Sequence, residues 1–256
     1  MSSEVLIHIV PRFHPQSDGA GEYAFNLARA LRAAYVVQSQ FIACDPERDG
    51  PSQVEDFGVQ RLRVRNEAGI WNLLSSAKQP YAAVVLHYCP YGYAKQGLPL
   101  WLYRGIKSWL EEQGGANPGS DKQLVTVFHN MLQTPLKPWN KEFCLRLPQR
   151  WLLQQFHCHS KFSMTTNHRL PFVPKGIATP KDNWLINPEG PPPCGKSPDW
   201  GLIARRFYEA LHEDMPAATA DVSPGKREGD TKPRLPAYAS GLELAEPPVE
   251  RVRSPA

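Results

Sequence analysis

Hydrophobic residues follow two alternating patterns along the first two thirds of the chain. Continuous apolar runs predict buried strands at Val5–Val10, Ala82–Cys89 and Gln123–Phe128. Between them, Gly21–Ala33 and Leu98–Glu112 carry apolar residues at the spacing of an amphipathic helix. Strands that alternate with helices favour right-handed βαβ units. We therefore predict an α/β fold in which a parallel sheet is covered by helices.

Weaker patterns extend this sheet. Val36–Cys44 reads as a strand, Val59–Val64 as a half-exposed strand, and Lys161–Thr166 as a short strand. Ile70–Leu74 predicts a short helix. Two further helical segments are predicted at 143–156, with Pro148 in the first turn of the second segment.

The pattern stops near residue 171. Of the 26 prolines, 11 lie in residues 1–170 and 15 in the last 86 residues, so the second part can bury little apolar surface. We predict a Rossmann-like domain over 1–170. It is followed by a Pro-rich tail over 171–256 that is largely disordered, with one helix at 202–212.

The loop after the first strand is the first candidate site. Gly19 and Gly21 allow a tight turn into a helix whose N-terminal N–H groups favour an anion such as phosphate. An equally simple interpretation is that the two glycines only serve the geometry of the turn. Asp18 could cap the helix and Glu22 could favour its dipole, although both carboxylates oppose an incoming anion.

Two more loops leave the carboxyl ends of predicted strands. One contains Tyr88, Tyr91 and Tyr93, whose rings could stack on a sugar, and the other begins with His129 and Asn130. Ligands of open α/β sheets bind beyond the carboxyl ends of the strands, so we expect the three loops to converge on one crevice with His129 at its rim.

Charge and cysteine content narrow the range of partners. Residues 1–170 carry 18 Lys and Arg against 13 Asp and Glu, a mild surplus that suits anionic substrates or an anionic membrane surface. Without a Lys/Arg block, nucleic-acid binding is not expected. The five scattered cysteines read as reduced thiols, and no apolar run approaches a bilayer span. We expect a cytoplasmic protein, with peripheral contact to the inner membrane compatible with this charge.

Four stretches together resemble the N-terminal domain of bacterial group 4-like glycosyltransferases of the B-type fold. They are FHPQSDGAGEYAFNLARAL after the first strand, VVLHYCPYGYAKQGLPLWL, LVTVFHNM and WLLQQFHCHSKFSMTTN. The resemblance implies transfer of a sugar from a nucleotide sugar to a glycan or lipid acceptor. It places Gly19 and Gly21 at the donor phosphates and His129 at the sugar as the catalytic residue. The remaining residues that we assign to the acceptor or sugar cleft are Asp18, Glu22, Tyr88, Tyr91, Tyr93 and Asn130.

The resemblance implies no cofactor beyond the nucleotide-sugar substrate and no metal, since the chain lacks a DxD pair. Asn130 stands where the family usually has an acidic residue. A donor-binding C-terminal domain is expected after residue 177 but no such pattern follows, so a truncated chain that is inactive alone is predicted. The alternatives are a noncatalytic remnant that binds glycans or partners and, more distantly, a nucleotide binder using GPPPCGKS at 190–197, whose prolines remove phosphate-binding N–H groups.

Overall fold

The computed structural model describes residues 4–15, 17–47, 49–77, 81–116, 123–129, 141–166, 184–186 and 198–212. These residues all lie in one compact unit, Met1–Ala217. The second unit, Ala218–Ala256, lies outside the described residues.

The unit is built on one eight-stranded sheet with the order β3-β4-β2-β1-β5-β6-β7-β8. All neighbouring strands pair in parallel except β3 and β4, which are antiparallel. The strands are β1 Val5–Val10, β2 Gln38–Ala43, β3 Gln53–Val54, β4 Phe57–Arg61, β5 Ala83–Tyr88, β6 Gln123–Phe128, β7 Phe162–Thr165 and β8 Trp184–Ile186. The predicted α/β fold with a mostly parallel sheet and accompanying helices is thereby confirmed, and it is consistent with a Rossmann-like arrangement.

Six helices accompany the sheet in the described residues. They are α1 Gly19–Tyr35, α2 Glu67–Ser75, α3 Pro90–Tyr93, α4 Leu100–Ala116, α5 Lys141–His159 and α6 Trp200–His212. None of them combines the length and the hydropathy that a bilayer-spanning helix requires.

The helices bury both faces of the sheet. On one face, odd-numbered residues of β1 such as Ile7 and Ile9 pack with Trp109 of α4 and Phe156 of α5. On the other face, Leu6 and its neighbours on β5 and β6 pack against apolar side chains of α1 and α6. Side chains alternate between the two faces along a strand. A polar residue of β1, β5 or β6 that lies on the second face is therefore enclosed by α1 and α6.

The predicted strands 5–10 and 123–128 are confirmed at both ends, and the other boundaries differ by a few residues. The half-exposed strand begins at Phe57 rather than Val59, and β2 begins at Gln38 because Val36 is the left-handed C-cap of α1. The two helical segments predicted around Pro148 form one helix, α5, with Pro148 inside it. Strands β3 and β8 and helix α3 were not predicted, since two to four residues carry no measurable periodicity.

The helix predicted at 202–212 is present as α6, two residues longer at its start. It packs on α1, where the rings of Tyr35 and Tyr208 stack with centroids 4.1 Å apart. The compact unit therefore extends past the predicted boundary at residue 170, because an apolar face of α6 covers the sheet. Apart from β8 and 198–212, the tail predicted to be disordered lies outside the described residues. The whole of GPPPCGKS, at 190–197, also lies outside them.

Candidate functional site

The loop from β1 to α1 is closed by its own carboxylate. Asp18 is the N-cap of α1, and its Oδ1 accepts a hydrogen bond of 2.8 Å from the N–H of Gly21. Glu22 N–H donates to the carbonyl oxygen of Asp18 at 2.9 Å. One of the N–H groups that we expected to face an anion is therefore already satisfied by the Asp18 side chain.

The two glycines of this loop differ in what surrounds them. A Cβ at Gly21 would overlap the carbonyl oxygen of Arg12 and lie 3.2 Å from the Cβ of Ser17. A Cβ at Gly19 would meet nothing within 4 Å. Close packing of the turn therefore requires a glycine at Gly21, whereas the space next to Gly19 is open.

Both acidic residues of the loop are held in place. Burial raises the pKa of Asp18, although the Gly21 N–H and the nearby Arg12 guanidinium act in the opposite direction. Glu22 accepts a hydrogen bond from the Ser17 hydroxyl, and its Oε1 lies 3.7 Å from Nε2 of His14. The predicted cleft residue Glu22 is thus engaged within the loop.

The loop after β5 meets the loop after β1. A Cβ on Gly92 of α3 would lie 2.6 Å from the Cβ of Pro11 and 3.5 Å from Oδ2 of Asp18. Two of the three predicted loops therefore converge at the carboxyl end of the sheet, and Gly92 permits their close approach.

The three candidate tyrosines have different environments. Tyr88 is fully buried among Phe128 and Phe156. Tyr93 is 1% exposed, and its hydroxyl lies 2.9 Å from the carbonyl oxygen of His87. Both rings are core residues and cannot stack on a sugar, which corrects the prediction for them. Only Tyr91, which is 58% exposed, remains available.

His129 is buried rather than at a rim, with 5% of its surface exposed. Its ring belongs to what we call the histidine row, formed by His8, His87 and His129 on β1, on β5 and at the end of β6. Nδ1 of His87 lies 3.2 Å from Nε2 of His129, and Nε2 of His87 lies 3.1 Å from Nδ1 of His8. Nε2 of His8 ends the row on the hydroxyl of Ser39, 3.2 Å away on β2.

The rings of the histidine row also stack on one another. Adjacent rings have centroids 5.4 Å apart and are inclined by 26° in both pairs. Burial lowers the pKa of His8 and of His129 to about 3, and burial with its two neighbours lowers that of His87. All three imidazoles are therefore neutral near pH 7.

One aromatic side chain of the helical layer, Tyr23, contacts His129 and is itself packed against Trp200. The ring of Tyr23 on α1 meets His129 edge to face at 5.0 Å, and it meets Trp200 of α6 in the same way at 5.0 Å. Tyr23 thereby connects the glycine loop to the carboxyl end of β6. The third predicted loop begins on the same edge as the other two, although its next residue, Asn130, lies outside the described residues.

Sequence reasoning missed His8, His87 and Ser39 as partners of His129. Their signal was present, because a histidine stands inside each of the apolar runs VLIHIV and AAVVLHYC. A buried histidine requires hydrogen-bond partners, and neighbouring strands can supply them. In this sheet each histidine partner lies two residues beyond the position paired in register, since His8 pairs with Val85 and His87 pairs with Val127. Finding the row required the strand order, in which β1 lies between β2 and β5.

No arrangement of three or more His, Cys, Asp or Glu side chains suited to a metal ion occurs among the described residues. The chain matches no protein-family model and no curated protein. The resemblance to glycosyltransferases therefore stays a prediction from the four sequence stretches.

Proposed function

We propose that this chain is the acceptor-side domain of a glycosyltransferase, which moves a sugar from a nucleotide sugar to a glycan or lipid acceptor. The carrying observation is that the loops that follow β1 and β5 meet at the carboxyl edge of the sheet, where β6 also ends at His129. Gly92 packs against Pro11 and Asp18, and Tyr23 joins α1 to His129. Such an edge is where open α/β sheets bind ligands.

The chemistry of this edge fits an uncharged sugar better than the donor phosphates. Asp18 brings a partly buried carboxyl group and occupies the Gly21 N–H, both of which disfavour an anion. A carboxylate readily accepts hydrogen bonds from sugar hydroxyls. Asp18 and the open space beside Gly19 are therefore assigned to the acceptor sugar, with Tyr91 available for stacking.

His129 would contact the sugar as a neutral group. With its pKa lowered to about 3, it is too weak a base to take a proton effectively near pH 7. A neutral imidazole still donates and accepts hydrogen bonds, and in a buried site it can stabilise charge that develops on an oxygen. Its proposed role is therefore to orient and polarise, not to transfer a proton.

The noncatalytic alternative is favoured by this same low pKa, because a His129 that does not titrate near pH 7 can hold a sugar without taking a proton from it. A transfer assay separates the two. Radiolabelled UDP-glucose and GDP-mannose are incubated with the full chain and a glycan array, and both bound glycan and transferred label are measured. Binding with transfer supports the enzyme. Because an acceptor-side domain alone is expected to bind without transferring, the assay is repeated with the chain joined to the donor-binding domain of a B-type glycosyltransferase, and binding that still occurs without transfer supports the noncatalytic protein.

Matched variants connect the assay to the site. We expect Asp18→Ala and His129→Gln each to weaken glycan binding about tenfold, the effect of losing one good hydrogen bond. His157→Gln is the control, since His157 is a buried histidine on α5 that bonds Ser163 instead of the row. No glycan bound by the parent chain, or equal binding by all three variants, would contradict the proposed function.

A further inference from the structure

We propose that Ser39, His8 and His87 are positioning residues that fix His129 in one neutral tautomer, with its Nδ1 carrying the proton as a hydrogen-bond donor. The inference rests on the proposed function only for the ligand that this donor would meet. The tautomer itself is a property of the free protein.

Counting protons along the row leaves two arrangements. Each neutral imidazole has one N–H and one acceptor nitrogen, so both bonds between histidines form only if all three rings donate in the same direction. In one arrangement His8, His87 and His129 all carry the proton on Nδ1. In the other they all carry it on Nε2.

Ser39 distinguishes the two arrangements. Its side chain is 4% exposed, and among the described residues its hydroxyl has no hydrogen-bond partner other than Nε2 of His8. With the protons on Nδ1, Ser39 donates to His8 and both bonds between the rings form. The one donor left over is Nδ1–H of His129 at the carboxyl edge of the sheet, and among the described residues this nitrogen does not belong to the fully buried side-chain atoms that lack a partner. With the protons on Nε2, the Ser39 hydroxyl must accept, and its own proton is buried with no acceptor among the residues that the structure describes. An unpaired buried donor is costly, so the first arrangement is favoured.

The direction of the row determines what His129 presents. Its Nε2 accepts from His87 at 3.2 Å, which leaves Nδ1–H as the donor at the end of the row. No described residue accepts a hydrogen bond from this nitrogen. A matching ligand atom is therefore a hydrogen-bond acceptor, such as a sugar hydroxyl or ring oxygen.

The free histidine side chain in water prefers the Nε2–H tautomer, so three Nδ1–H histidines form a distinctive signature. Two-dimensional NMR of the full chain with 15N-labelled histidine measures which ring nitrogen is protonated. At pH 7, without ligand, we expect His8, His87 and His129 all to be neutral with the proton on Nδ1. A proton on Nε2 of His129, or a charged ring, would overturn the proposal.

Variants test whether the row causes the tautomer. His87→Leu removes the donor to Nε2 of His129, so we expect His129 to shift towards the Nε2–H form. His87→Gln should preserve more of the Nδ1–H form, because an amide can accept from His8 and donate to His129. His157→Gln should leave all three signatures unchanged. An unchanged Nδ1–H signature of His129 in His87→Leu would also overturn the proposal. If that variant does not fold, the comparison of His87→Gln with the parent decides.

A final titration separates this inference from the proposed function. Methyl glycosides of glucose, mannose, galactose and N-acetylglucosamine are added to the labelled chain. A shift of the His129 Nδ1 signal supports both the proposed tautomer and sugar binding at this edge. An Nδ1–H signature that no glycoside perturbs supports the row and counts against sugar binding at this edge.

Discussion

Gly21 and Gly19 stand two residues apart in one loop, yet their surroundings differ. In Gly21→Ala the new Cβ would overlap the backbone oxygen of Arg12, which cannot rotate away. We expect the free energy of unfolding to fall by about 1–3 kcal/mol, the usual cost of overpacking. Urea denaturation followed by circular dichroism measures it.

Gly19→Ala is the matched control, because its Cβ meets open space at the start of α1. Alanine has the higher helix propensity, so stability should stay equal or rise by up to about 1 kcal/mol. Equal losses in both variants would show that the close approach of Arg12 to Gly21 is not what makes glycine necessary.

Asp18 offers a test of which ligand the loop accepts. Asp18→Asn keeps an N-capping oxygen and removes the negative charge. We expect stability to change by less than about 1 kcal/mol and the affinity for UDP to rise about three- to tenfold, since removing one like charge near a surface is worth about 1 kcal/mol. Affinity for a neutral glycoside should not rise.

Isothermal titration calorimetry at low salt measures both affinities for Asp18→Asn. UDP affinity that is unchanged relative to the parent would place any phosphate site away from Asp18. A rise in affinity that was equal for UDP and the neutral glycoside would indicate a change in the loop and not in charge.

At the level of elements, α6 was predicted as a helix, but its packing on the sheet was not. Phe207 is fully buried and meets Phe162 of β7 edge to face at 5.5 Å. We expect Phe207→Ala to lower the free energy of unfolding by about 3–5 kcal/mol. Arg206→Ala changes an exposed residue of the same helix and should cost under about 0.5 kcal/mol. Losses of similar size would show that α6 does not pack on the sheet in solution.

The helices and strands that could be predicted from the sequence are those long enough to show a complete hydrophobic pattern. Strands β1 and β5 are each six buried residues and β6 has five, and their apolar runs mark them in the sequence. Strand β8 has three residues, and its pairing with β7 depends on a neighbour that is distant in the sequence. Helix α6 was predicted, but its packing on α1 could not be, because helical spacing identifies an apolar face without naming its partner.

The candidate site also has parts that the sequence predicted and parts that it did not. The sequence predicted that the β1–α1 and β5–α3 loops meet, since both leave carboxyl ends of adjacent strands. It did not predict that Tyr88 and Tyr93 are buried, because a tyrosine in a strand and one in a loop read alike until their neighbours are known. The role of His87 as partner of His129 also depended on strand order.

For the whole molecule, the buried histidines predict that the free energy of unfolding decreases as the pH falls. Burial lowers the pKa of His8 and His129 to about 3 and that of His157 to about 4, whereas unfolded histidine titrates near pH 6.5. Below pH 6.5 the unfolded chain therefore binds protons that the folded chain excludes, and stability is lost as the pH falls. Each such histidine should cost roughly 1 kcal/mol at pH 5.5.

Urea denaturation at pH 7.5 and pH 5.5 tests this sensitivity. We expect the free energy of unfolding to drop by several kcal/mol, since His87 adds to the three histidines above. Carboxyl groups titrate mostly below this window, so histidine dominates the change. Equal stability at the two pH values would show that the row is protonated in the folded protein.

The central claim is that a sugar binds where the loops of β1 and β5 meet, beside His129 at the carboxyl end of β6. Amide NMR of the 15N-labelled full chain, titrated with the four methyl glycosides, tests it most directly. At least one glycoside, at concentrations suited to a Kd of about 1 mM, should shift the signals of Gly19, Gly21 and Gly92 together with the ring of His129. Shifts confined to the face covered by α2 and α4, or no shift with any glycoside, would contradict the claim.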